Sequence, residues 1–185
     1  MIKNIQSNLI VKEGGFSLAE LIIATCILSI LSSIVVSGFE RQNHNARLSN
    51  TAQVMINFIE SSRRKSLSDS TTCILLVNHI QKTVSISNSQ ECTDLDGISL
   101  SNMFQRAENM QVCGSLNISD HEINCNDNLA PSTTVVFTPK GNASQGAIIK
   151  LVSPRTQNGY CIVITEPVGH VMKGRLRNNT CDFSR

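Results

Sequence analysis

The chain has 185 residues with six phenylalanines, one tyrosine and no tryptophan, so its core must rest on Val, Ile, Leu, Met and those phenylalanines, and no aromatic interleaving accompanies its basic residues, which disfavours base stacking of the single-strand-binding type. The net charge of +2 is unevenly spread: residues 40–66 sum to +3, residues 67–138 to −6 and residues 139–185 to +5, a basic end on an otherwise acidic domain. No G-x-S-x-G elbow, phosphate-cradling glycine loop or zinc-hydrolase helix occurs, which sets catalysis aside and implies no cofactor.

The first predicted element is an apolar run from Phe16 to Phe39 whose single charge is Glu20. A leader with Lys3 and Lys12 and the pair Gly14-Gly15 stand ahead of it. A carboxylate inside a membrane span costs about 2.5–3.5 kcal/mol on insertion scales, so it needs a partner or a purpose. Cleavage between Gly15 and Phe16 would supply one, because the new Phe16 ammonium stands four positions before Glu20. Two plainer readings compete. A secretory signal peptide cut after Val35-Val36-Ser37 needs an apolar region of only about 7–15 residues, shorter than this run. A plain membrane anchor of about 20 apolar residues would keep the positive leader cytoplasmic. Neither gives Glu20 a use.

Gly15-Phe16-Ser17-Leu18-Ala19-Glu20-Leu21, with the basic leader and the apolar helix, resembles the N-terminus of type IV prepilins and type II secretion pseudopilins. The resemblance implies removal of residues 1–15 by a prepilin peptidase, methylation of the Phe16 amine, and docking of Glu20 onto a neighbouring subunit. It divides the chain into leader 1–15, transmembrane and filament-core helix 16–39, and periplasmic domain 40–185. It also places the protein in a bacterial inner membrane as a single-pass subunit before it enters a pilus or pseudopilus. The last segment suffices for one domain with its own core and not for two.

Beyond the apolar run, Leu48, Ala52, Met55, Ile59 and Ser62 recur at helical spacing, which predicts one long helix ending near Leu67 with that face laid on a sheet. Arg63-Arg64-Lys65 would close it, where the helix dipole favours cations. Thr72–Val77 and Thr83–Ser87 read as a hairpin turning at Asn78-His79. Residues 88–131 are polar and irregular, with a short element expected around Ser101–Met110. Asp120-His121-Glu122 within them reads as a solvated triplet rather than a metal site.

Thr133–Thr138, Ala147–Val152, Tyr160–Thr165 and His170–Lys173 follow as strands, with turns at Pro139-Lys140-Gly141 and Pro167-Val168-Gly169. Four such strands in succession predict an antiparallel meander. The expected class is therefore α+β, a long N-terminal transmembrane helix packed on an antiparallel sheet. Cys73, Cys92, Cys113, Cys125, Cys161 and Cys181 all lie beyond the apolar run, an even set that implies disulfides and an oxidising compartment. No C-x-x-C spacing suggests a metal site. Spacing does not fix the connectivity, and the expectation carried forward is sequential: Cys73–Cys92, Cys113–Cys125 and Cys161–Cys181.

Val135-Val136-Phe137-Thr138-Pro139-Lys140-Gly141, Ile148-Ile149-Lys150-Leu151, Cys161-Ile162-Val163-Ile164 and Gly169 resemble the minor-pilin family of GspH pseudopilins and FimT/FimU minor pilins, as does the helix end at Glu60-Ser61-Ser62-Arg63-Arg64. Members usually carry a basic G-R-x-R. Here it stands as Gly174-Arg175-Leu176-Arg177, five residues later than the aligned Gly169-His170-Val171-Met172. The resemblance implies a pilin-like fold and a minor subunit at or near a pilus tip that primes assembly and binds DNA. Its DNA-binding candidates are Lys173, Arg175, Arg177 and Arg185, with Lys150, Arg155 and His170 as neighbours. The alternative is an H-type minor pseudopilin of type II secretion. Expected partners are other pilins or pseudopilins, the peptidase, the inner membrane and DNA.

Overall fold

The computed structural model describes residue 15 and residues 17–87, 92, 95–100, 110–116, 125, 131–154, 159–177 and 180–183. For residues 33–38, 40 and 41 it describes the backbone alone. The chain divides into two compact units, Met1–Gln42 and Asn43–Arg185.

Helix α1 runs from Leu18 to Asp69. It starts in a capping box: the Ser17 amide donates to Glu20 Oε2 at 3.0 Å and the Glu20 amide donates to Ser17 Oγ at 3.3 Å, so two backbone donors at the helix start are satisfied reciprocally. It stops in a Schellman turn, with Ser70 left-handed at φ 54° and the Thr71 amide donating back to the Ser66 carbonyl at 3.2 Å. The last turn holds no basic residue. Arg63-Arg64-Lys65 stands a turn earlier than expected, and its residues are used individually. Arg63 Nε donates to the Gly141 carbonyl at 2.9 Å, and Lys65 pairs with Asp69 at 3.0 Å.

Among the described residues nine strands follow in two antiparallel sheets. The first has the order β3-β2-β1-β5, built from β1 (Cys73–Asn78), β2 (Thr83–Ile86), β3 (Ile98–Ser99) and β5 (Ser132–Phe137). The second has the order β4-β6-β7-β8-β9, built from β4 (Gln111–Ser115), β6 (Ala147–Val152), β7 (Gly159–Thr165), β8 (His170–Arg177) and β9 (Thr180–Asp182). The β1–β2 hairpin forms as expected, its turn fixed by the Gln81 amide donating to Asn78 Oδ1 at 2.8 Å.

Alternation along the strands sends every second residue to one core. Cys73, Leu75 and Val77 of β1, Val135 and Phe137 of β5, Ile149 and Leu151 of β6, and Ile162 and Ile164 of β7 meet Leu48, Ala52, Met55, Ile56, Phe58 and Ile59 of α1. The helical face read from the sequence is the buried one, since Leu48, Ala52, Met55, Ile59 and Ser62 are all fully covered. The opposite face of the second sheet holds a smaller cluster of Cys113, Ile148 and Val163, flanked by Cys125, Met172 and Cys181.

All three sequential disulfides are present, with Cα separations of 5.4 Å for Cys73–Cys92, 5.5 Å for Cys113–Cys125 and 6.0 Å for Cys161–Cys181. These lie within the span a disulfide bridges.

The expected fold class, a long transmembrane helix on one antiparallel sheet, is corrected on two counts. There are two sheets, and the four-strand meander does not form: β5 pairs with β1 in the first sheet while β6, β7 and β8 are consecutive in the second. The physical reason is the Pro139–Gly141 turn. It carries the chain across through the bridge Phe137↔Ala143 and the bond from the Thr138 amide to the Asn142 carbonyl, 2.9 Å.

The second count concerns the membrane. Among the described residues no helix is long and apolar enough to cross one. The expected location as a single-pass inner-membrane protein is corrected on the same finding.

Candidate functional site: a capped apolar helix and a basic strand

The first locus is the start of α1. Gly15 is exposed, while Phe16 lies outside the described residues. Glu20 is exposed in the first helical turn, where the positive end of the helix dipole stabilises a carboxylate. Capping thus gives this charge a use within its own chain that the sequence reading missed. The signal was there, as Ser-x-x-Glu directly before an apolar run.

From Leu21 to Leu31 the helix presents aliphatic side chains on every side. Leu18, Leu21, Ile22, Ile23, Ile27, Leu28, Ile30 and Leu31 are all more than half exposed. The polar residues among them turn inward along the backbone. Thr25 donates to the Ile22 carbonyl at 2.9 Å, Ser29 to Cys26 at 2.7 Å and Ser32 to Leu28 at 2.7 Å. Their hydroxyls are satisfied by the helix itself, which leaves an outward surface of methyl and methylene groups. Such an apolar surface is stable only in an apolar environment.

The second locus is β8. Its odd positions, Val171, Lys173, Arg175 and Arg177, share the face turned to the main core. Lys173 spends its charge inside the fold: Nζ donates to the Ser49 carbonyl at 3.1 Å and to Ser49 Oγ at 3.0 Å, and lies 4.7 Å from the centre of the Tyr160 ring. Burial holds its pKa below the usual lysine range against the opposing pull of Tyr160, and Arg175 adds to the lowering. Arg175 and Arg177 extend beyond this contact and are exposed.

The even positions explain the rest of Gly174-Arg175-Leu176-Arg177. Leu176 is buried on the opposite face, and a Cβ at Gly174 would stand 2.8 Å from the Phe183 ring and 3.0 Å from the Asp182 carbonyl. Glycine there admits the returning C-terminal strand.

The remaining candidates are not brought to this face. Lys150 is fully buried in the middle of β6, paired in register with Cys113 and Cys161. His170 is exposed at the start of β8 but at an even position. Arg155, Arg185 and Asp120-His121-Glu122 lie outside the described residues, as does all of Ser101–Met110 but Met110. Among the described residues no cluster of ligating side chains could hold a metal. Compared with protein-family models, with curated proteins and with solved structures, the chain matches none.

Proposed function

We propose that this chain is a minor type IV pilus subunit of the FimT/FimU type, set at or near the tip, where it primes assembly and holds DNA. The observation that carries this reading is the helix start. A capped carboxylate, Glu20, stands five residues after the exposed Gly15 and opens a helix whose leucines and isoleucines from Leu18 to Leu31 are more than half exposed.

In this reading a peptidase removes residues 1–15, and the freed, methylated amine of Phe16 meets Glu20 of a neighbouring subunit. A carboxylate has about four acceptor sites, so its bond to the Ser17 amide leaves capacity for an ammonium. Burial of the exposed leucines and isoleucines among neighbouring helices then stabilises the filament by about 1.5–3 kcal/mol for each side chain fully covered. The subunit's part is binding, and no group of it undergoes chemistry after processing.

DNA contact rests on Arg175 and Arg177. Same-face neighbours on a strand stand about 6.7 Å apart, so two guanidinium groups can take phosphates along one backbone without reading sequence. The alternative, an H-type minor pseudopilin of type II secretion, shares the helix and Glu20 but gives these exposed arginines no use. The deciding experiment is Glu20→Ala, scored for protein level and for incorporation into sheared filaments. The expected result is normal accumulation of folded protein with loss from the filament fraction; normal incorporation contradicts the proposal.

A further inference from the structure

Strand β9 is the edge of the second sheet and only three residues long. Its register sets Asp182 opposite Arg175, Cys181 opposite Leu176 and Thr180 opposite Arg177. Directly opposed residues share a face, and so do residues two apart, so Asp182 stands on the arginine face. Its Oδ2 lies 3.9 Å from Arg177 Nη1. Cys181 faces the other way and crosses β8 on that side to join Cys161 of β7. Three register pairs at the edge of a sheet form a low-stability element that opens readily. The disulfide on one face therefore keeps the acid in place on the other.

We propose that β9 is an acidic cover on the basic strand, latched by Cys161–Cys181 and released by a dithiol reductant. The inference rests on the DNA reading for its ligand and adds regulation to it. In the exchange the Cys161–Cys181 bond breaks, each sulfur ends as a thiol with one proton, and the reductant loses two electrons and two protons as it closes its own disulfide. β9 then departs with Asp182. Phosphate and carboxylate compete for the same guanidinium donors, so removal of the carboxylate leaves Arg175 and Arg177 to the nucleic acid.

The test is fluorescence anisotropy of a short labelled DNA duplex with the intact chain at low salt. Asp182→Asn keeps the latch and removes the acid, while Cys161→Ser with Cys181→Ser removes the latch and keeps the acid. Both are expected to bind about threefold more tightly than wild type, the scale of one exposed ion pair. Adding Arg175→Ala and Arg177→Ala abolishes that gain. Asp96→Asn makes the same charge change elsewhere and is expected to bind as wild type does.

If Asp182→Asn binds like wild type, or no better than Asp96→Asn, while the arginine pair still matters, the cover falls and the DNA reading stands. If none of the proteins binds the duplex, both fall. A misfolded serine variant leaves the decision to Asp182→Asn, whose disulfides are intact. In a folded one, faster hydrogen exchange at Arg175–Arg177 is the expected sign of an open edge, and unchanged exchange counts against the latch.

Discussion

Glu20 and Lys173 look alike in the sequence as charges with an outward task, and the fold treats them differently. Glu20 was legible as an unusual charge, but its bond with Ser17 was not, because the same residues also fit a processing signal that accounts for them without a cap. Ser17→Ala should cost the helix start about 1 kcal/mol, seen as lower helicity in a peptide spanning residues 16–32, with Ser17→Asp restoring it. Charge alone makes Lys173 a phosphate ligand, and no periodicity could show that Ser49, far away in sequence, would take its ammonium.

The lysine also carries a pH dependence. Its pKa in the folded protein is depressed by burial, so in the window between that lowered value and the usual lysine range the unfolded chain binds more protons, and stability rises with pH there. The unfolding free energy of wild type relative to Lys173→Met should therefore grow as pH rises toward about 10.4 in urea titrations, and a shrinking difference is the contrary result.

At the scale of elements, what the sequence shows well is what periodicity controls. The buried helical face, the β1–β2 hairpin and the strands at β5, β6 and β7 fall close to where alternation and turn residues put them. Pairing between distant strands was not legible. β5 follows the polar stretch 88–131 and returns to β1, and nothing in its own residues states whether β1 or β6 is its neighbour.

The two glycine turns that manage this crossing lie together. The Ala143 amide donates to the Pro167 carbonyl at 3.0 Å, and Gly169, at φ 70°, would place a Cβ 2.9 Å from the Gly141 carbonyl. Gly169→Ala should cost roughly 1–3 kcal/mol by thermal or urea unfolding, since both the positive φ and a backbone atom oppose the new methyl. For β8, the duplex affinity should fall with salt at a log–log slope of about −1.8, set by two phosphate contacts, and lose most of that slope in the Arg175→Ala, Arg177→Ala protein. A slope of about −3.6 would mean that Lys173 and a fourth cation also reach phosphate.

Across the whole molecule, one core shared by α1 and two sheets is stapled by three disulfides that each join segments no more than 20 residues apart in sequence. The even set of six cysteines beyond the apolar run announced the staples, although spacing could not choose among pairings. Cys73→Ala with Cys92→Ala should lower stability by about 2–4 kcal/mol, because Cys73 starts an inner strand of the first sheet and the bond to Cys92 closes a loop onto it.

The aliphatic side chains of Leu18, Leu21, Ile22, Ile23, Ile27, Leu28 and Leu31 are more than half exposed and belong to a different unit from that core, and the central claim is that other chains cover them on assembly. Intact and N-terminal mass spectrometry of the protein recovered from its native cells tests that claim most directly. The account predicts a chain that begins at Phe16 and carries one methyl group on its amine. A chain that still begins at Met1, or one that begins at Gly38, contradicts it.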